Sequence, residues 1–151
     1  MKSSRKDLQK FAATQTRRVL KAFGAEDFRV DVDLMDDTAI RALNRRFRGI
    51  NRPTDVLSFE SHAVFRANGF LGSLAISVPT AQRQALSLSH SLKDELTVLI
   101  VHGIAHLFGH DHEASKKKAT EMAALETQVL AALKRRTLGL IRRSTARSKP
   151  R

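Results

Sequence analysis

Apolar residues recur along this chain at two spacings, and each spacing predicts an element. Leu8, Phe11, Val19 and Phe23 fall on one face of an amphipathic helix over about Lys6 to Phe23, closed by Gly24. The stretch FRVDVDLM, Phe28 to Met35, alternates apolar and polar residues and is rich in β-branched ones, which predicts a strand with one buried face. Asp36 and Asp37 are cap residues for a helix that runs through about Phe47. Ile40, Leu43 and Phe47 form its apolar stripe, while Arg41, Arg45 and Arg48 share another face.

GINRPTD reads as a loop, because Pro53 lacks an N–H donor and biases Arg52 away from helix. VLSFE and LGSLAIS are two short strands, joined by a loop around His62 to Gly69 and expected to pair antiparallel. Pro79 sits near a helix start, a further helix covers about Leu92 to Phe108, and the last covers about Ser115 to Leu133. Met122, Leu125, Val129 and Leu133 lie on one side of that last helix. Mixed strands and helices within one unit predict an α+β fold: a single domain over residues 1–133 with a small mixed sheet surrounded by helices. Residues 134–151 contain no acidic residue and carry only a weak apolar pattern, and are read as a basic, disordered tail.

Composition narrows the function. A chain of 151 residues is long enough to bury a core without staples, so a metal site here would serve chemistry more than folding. There is no Cys, which leaves His and carboxylate as the ligands for any transition metal. The formal charge of +12 and a pI near 11.1 point to a polyanionic partner. Nucleic acid fits better than membrane, since the longest apolar run, Leu96 to Phe108, is too short to span a bilayer and is interrupted by histidines. The basic N-terminus lacks the apolar core of a secretory signal, so a cytoplasmic location is expected.

Four of the six histidines lie within VHGIAHLFGHDHE, Val101 to Glu113. Residues four apart on a helix stand one above the other, about 6 Å along the axis. His102 and His106 therefore face one point. Gly109 follows where a helix often ends left-handed, a reversal that would bring His112 back as third ligand, whereas His110 points off the ligand face. The resulting HxxxHxxGxxH is similar in spacing to the metzincin signature, and three imidazoles leave a coordination position open for water. Zinc peptidases with HExxH place their general base directly after the first His, and here that residue is Gly103. Asp111 and Glu113 remain as substitute bases, as carboxylates that orient a ligand histidine, or as cap residues of the following helix.

HGIAHLFGHDH, taken with LNRRFRGINRPTDVLSF, LGSLAIS and EMAALETQVL, resembles the YbeY family of single-domain metalloproteins over about residues 28 to 133. The resemblance implies a metal-dependent endoribonuclease that cuts single-stranded RNA in ribosomal RNA maturation, including the 3′ end of 16S rRNA, and in quality control of the small ribosomal subunit. It implies one zinc ion, or another divalent transition metal, on His102, His106 and His112. Arg48 matches the family's arginine near the site, and Thr54, Asp55 and Ser58 match the motif that lines its cleft. The implied partners are ribosomal RNA, the small-subunit precursor, and ribosomal proteins or an assembly GTPase. Two positions depart from the family pattern: Ser73 stands where Asp is usual, and His110 where Tyr is usual.

Arg41 and Arg45 read as a solvated helix face, and Arg48 as a phosphate contact. Lys116, Lys117 and Lys118, in the first turn of the last helix, oppose its dipole and are candidates for RNA backbone contact. The tail would add salt-sensitive affinity by counterion release. With no Trp or Tyr, and with Phe residues that mostly suit core positions, no base-stacking surface is expected. Two other readings fit parts of the pattern: a non-catalytic assembly factor that docks on ribosomal RNA, and a zinc metallopeptidase.

Overall fold

The computed structural model describes residues 4–109 and 116–133. Their elements run α1 (Arg5–Ala22), β1 (Arg29–Met35), α2 (Asp37–Arg48), β2 (Val56–Glu60), α3 (Ala63–Ala67), β3 (Phe70–Ser77), α4 (Val78–Ser87), α5 (Leu92–Phe108) and α6 (Lys116–Ala132). This is the expected α+β class, with a three-stranded mixed sheet of order β1-β3-β2. β2 pairs antiparallel with β3, as its spacing predicts. β1 joins the other side of β3 in parallel, with Val32 opposite Leu74.

The sheet is buried on both faces. Val30, Leu34, Val56, Leu74 and Ile76 pack with α1 and α5 into the main core, while Leu57 and Ala75 face Ile40 of α2. The alternation of Val56 with Leu57, and of Ala75 with Ile76, sends neighbours to opposite cores. Gly72 makes the β2–β3 pairing possible. Its φ is +148°, and a Cβ there would stand 2.2 Å from the Phe59 carbonyl oxygen.

Helix termini follow local chemistry. Ser4, Asp36 and Ser91 accept hydrogen bonds from the backbone N–H groups of Asp7, Ala39 and Asp94, so each caps its helix. Asp36 alone caps α2. Asp37 instead accepts hydrogen bonds from the Ser77 and Thr80 hydroxyls, at 2.6 and 2.7 Å, and an ion pair from Arg83 at 2.8 Å, which ties α2 to the start of α4. Burial pushes the Asp37 carboxyl up, but these hydrogen bonds and the guanidinium charge outweigh it and hold the group below the ordinary Asp range.

Two expectations are corrected. The segment after β2 is not all loop, because Ala63–Ala67 forms the short helix α3. From it Arg66 reaches the Leu71 and Leu107 carbonyls, so a cation stands at the C-terminal end of α5. Gly109 does end α5, but at φ −107° and ψ 35°, with its N–H bonded to the Ala105 carbonyl. An ordinary helical bond closes the helix, without the left-handed reversal expected at that glycine. His110, Asp111, His112 and Glu113 lie outside the described residues, as does the segment 134–151.

Candidate active site

Helix α5 runs through the centre of the molecule, and its exposure pattern singles out the histidines. From Glu95 to Leu107 every residue is buried except His102 and His106. Leu96, Leu99, Ile100, Ile104 and Leu107 each bury almost their whole side chain, a contribution of about 1.5–3 kcal/mol apiece. That packing fixes the rotation of the helix about its axis. The stripe holding His102 and His106 is thereby the one stripe turned outward.

Gly103 explains how closely α5 approaches the sheet. A Cβ at this position would lie 2.7 and 2.9 Å from the two terminal methyls of Leu74, which is itself 1% exposed. The place where a zinc peptidase has its glutamate is here filled by β3. The missing general base is thus a consequence of helix–sheet packing.

His102 Nδ1 lies 3.0 Å from Glu126 Oε1, across the α5–α6 contact. With the carboxylate accepting from Nδ1–H, the imidazole is held in the tautomer whose Nε2 carries the lone pair. This is the arrangement that metal-ligating histidines favour, with a carboxylate fixing ring orientation from behind. Glu126 lies 24 positions beyond His102, and no spacing rule marks it; the sole sequence signal is an acidic residue within the apolar pattern of α6. The imidazoles of His102 and His106 would supply nitrogen donors that suit zinc and its neighbours among divalent metals. Among the described residues no group of three or more metal-binding side chains is complete, since the expected third ligand, His112, falls outside them.

Beside β2, an edge strand of the sheet, lies a cleft of about 870 Å³. Its walls come from both faces of the strand: Phe47 and Arg48 of α2 with Phe59 on one side, Ser58 and Glu60 with His106 of α5 on the other. The structure thus brings His106, Arg48 and Ser58 together. The Ser58 hydroxyl is 3.5 Å from the Gly103 carbonyl, against α5.

Thr54 and Asp55 are placed differently. Asp55 is buried and accepts from the Val56 N–H at 2.7 Å and from Gln84 at 3.3 Å, while its carbonyl receives the Ser77 N–H. It fastens the entry of β2 to β3 and α4, with Thr54 beside it at 3.4 Å. Arg41 bonds the Asn51 side chain at 2.9 Å. Lys116, Lys117 and Lys118 form the first turn of α6, as expected. Ser73 lies in the cleft wall, so the departure from Asp falls inside the site and replaces a carboxylate with a neutral hydroxyl.

The Phe residues are where the expectation fails most clearly. Phe47, assigned to the apolar stripe of α2, is 55% exposed. Ile40 is fully buried and Leu43 partly so, but one turn further more than half of Phe47 stays exposed. Phe47 meets Phe59 edge to face, with centroids 5.2 Å apart, on the cleft wall.

No helix among the described residues is long and apolar enough to cross a membrane. The family model described as endoribonuclease YbeY matches residues 1–134. An Aquifex aeolicus protein named endoribonuclease YbeY is 44% identical over 114 residues, covering 76% of each chain. One of the same name from Moorella thermoacetica is 42% identical over 128 residues, covering 76% of this chain and 81% of its own. The solution structure of TM1509 from Thermotoga maritima aligns with a TM-score of 0.55 at 26% identity, covering 88% of both chains. With one histidine of a helix-borne pair, His106, lining a cleft that holds an arginine, and with matches of this extent, the chain belongs to the family of endoribonuclease YbeY.

Proposed function

We propose that this chain is a metal-dependent endoribonuclease that cuts single-stranded RNA. Its substrate is the small-subunit ribosomal RNA precursor, including the 3′ end of 16S rRNA, and it serves quality control of that subunit in the cytoplasm alongside ribosomal proteins or an assembly GTPase. The observation that carries the reading is the outward stripe of α5, with His102 fixed from behind by Glu126 and His106 open to the cleft that contains Arg48. His102, His106 and His112 would hold zinc, or another divalent ion that accepts imidazole nitrogen. The chemistry such an ion supplies when bound is Lewis-acid polarisation of the phosphoryl group and activation of water.

Arg48 supplies the rest of the electrostatics. Its guanidinium binds phosphate oxygens in bidentate fashion and stabilises the negative charge that accumulates on them as the nucleophile, water or the neighbouring 2′-hydroxyl, adds to phosphorus. Ser58 offers a hydroxyl at the same wall. Lys116 to Lys118 and the basic segment 134–151 add backbone affinity. The peptidase alternative loses its support at Gly103, where Leu74 leaves no room for a carboxylate.

The test is cutting of single-stranded RNA by His102→Ala, His106→Ala and Arg48→Ala, in protein freed of contaminating nuclease. Each is expected to lose activity on the order of 10²–10³-fold. Undiminished cutting by a metal-free variant lacking all three histidines overturns the reading. Full complementation of a null strain by His102→Ala would assign the chain to assembly without catalysis.

A further inference from the structure

The geometry points to a nucleobase subsite on the Phe47 ring, in which a base of the RNA strand next to the bound phosphate stacks beside Phe59. The inference rests on the RNA-cutting reading above and adds to it the part of the substrate that the apolar wall receives.

Three observations support it. First, an exposed Phe forgoes most of its burial energy, yet Phe47 is neither isolated nor on a featureless surface: it stands in the cleft with Phe59 and Leu43. Second, the Arg46 guanidinium lies 5.2 Å from the Phe47 ring centroid, so an aromatic surface and a cation are already associated there. Base–aromatic stacking with arginine beside it is the device by which single strands are held without sequence preference. Third, the polarity of the cleft is divided as a nucleotide is divided. Arg48 and His106 suit the phosphate, while the aromatic pair offers an apolar wall that a phosphate would leave unused. Phe47 and Arg48 are both contributed by the last turn of α2 and both line the one cleft.

A peptide segment could also cover an exposed Phe, but the charge of the molecule and the arginines of the last turn of α2, Arg45, Arg46 and Arg48, favour a polyanion.

The chain has no Trp and no Tyr, so Phe47→Trp installs a sole indole reporter at the proposed contact. A short single-stranded RNA with 2′-O-methyl sugars, in which attack by the 2′-hydroxyl is blocked, serves as probe. Its addition is expected to quench the indole, and the quenching is expected to fall away when the stacking nucleotide is made abasic. Phe47→Leu, which keeps an apolar side chain but removes the ring, is expected to weaken RNA binding about 5- to 100-fold, with Phe47→Trp retaining it. Full affinity in Phe47→Leu, or equal quenching by abasic RNA at every position, overturns the subsite. Emission that shifts with protein concentration and not with RNA assigns the ring to a protein contact and overturns it as well. Base-dependent quenching in a chain that fails to cut would uphold the subsite while the nuclease reading fails.

Discussion

Two histidine–carboxylate pairs flank helix α5, and they run in opposite senses. Before its N-terminus His90 Nε2 stands 2.8 Å from Glu95 Oε1, and toward its other end His102 Nδ1 stands 3.0 Å from Glu126 Oε1. In the first pair the carboxylate side chain has no exposure at all and the ring has 26%, so the imidazole serves a buried acid. In the second the two are almost equally shielded, at 14% and 11%, and the acid serves the ring. The same two residue types therefore yield a core contact at one end and, in the function proposed above, a metal ligand at the other. What separates them is the nitrogen engaged and whether the helix stripe behind it opens on a cleft.

The sharpest way to break this contrast is to remove each partner and read two quantities. Glu126→Ala is expected to lower metal affinity about 10- to 100-fold, measured by competition with a chromogenic chelator, with Glu126→Gln recovering part of the loss because an amide oxygen still accepts from Nδ1–H. His90→Ala is expected to leave metal affinity unchanged and to lower stability by about 1–3 kcal/mol in urea, since it strips a hydrogen bond from a carboxylate in the core. Metal affinity that moves equally in both variants would erase the distinction between the pairs.

Gly103 sharpens the comparison from within the helix. It lies on the stripe that faces β3, between two histidines on the stripe that faces out. Gly103→Ala is expected to cost about 1–3 kcal/mol by overpacking against Leu74, detected as a lower urea midpoint with an unchanged m-value. Leu74→Val in the same chain is expected to return part of it, because the atoms a Cβ would meet are the methyls at the end of that side chain. A cost that Leu74→Val leaves untouched would mean that backbone, and not this contact, sets the helix–sheet distance.

These residues also show what a sequence reveals and what it withholds. The α5 histidine pair and the cap at Asp36 are legible because each depends on neighbours within a few positions, and the antiparallel β2–β3 pairing because the two strands follow one another along the chain. The parallel docking of β1 on β3 joins Val32 to Leu74, a contact no local pattern encodes. Glu126 was missed for the same reason, being fixed by the packing of α6 on α5. The exposure of Phe47 is not legible in the sequence, because periodicity reports which face of a helix is apolar and says nothing of how deeply each turn of that face is covered. Helix α3 escaped notice because five residues without a side-chain cap bond leave no periodic signature. The reason for Gly103 was equally hidden: its absence of a base was visible, but the methyls that explain it come from β3.

A third carboxylate completes the contrast with the smallest expected effect. Asp37 has no histidine; it gathers Ser77, Thr80 and Arg83 at the junction of α2 and α4, with 30% of its side chain exposed. Because its folded pKa is held below the unfolded value of about 3.9, the native state favours the carboxylate, and the stabilisation is complete above that value. It is lost as the pH falls through the lowered folded pKa, where both states are protonated. Asp37→Asn keeps an acceptor for the two hydroxyls but removes the charge, and with Arg83 62% exposed the expected cost near neutrality is only about 1 kcal/mol. Urea unfolding of the two proteins across the acid range should show that difference shrinking as the pH drops below the unfolded Asp value. A gap that stays constant with pH would assign the loss to the shape of the amide, and would mean that the Asp37 charge contributes nothing to holding α2 against α4.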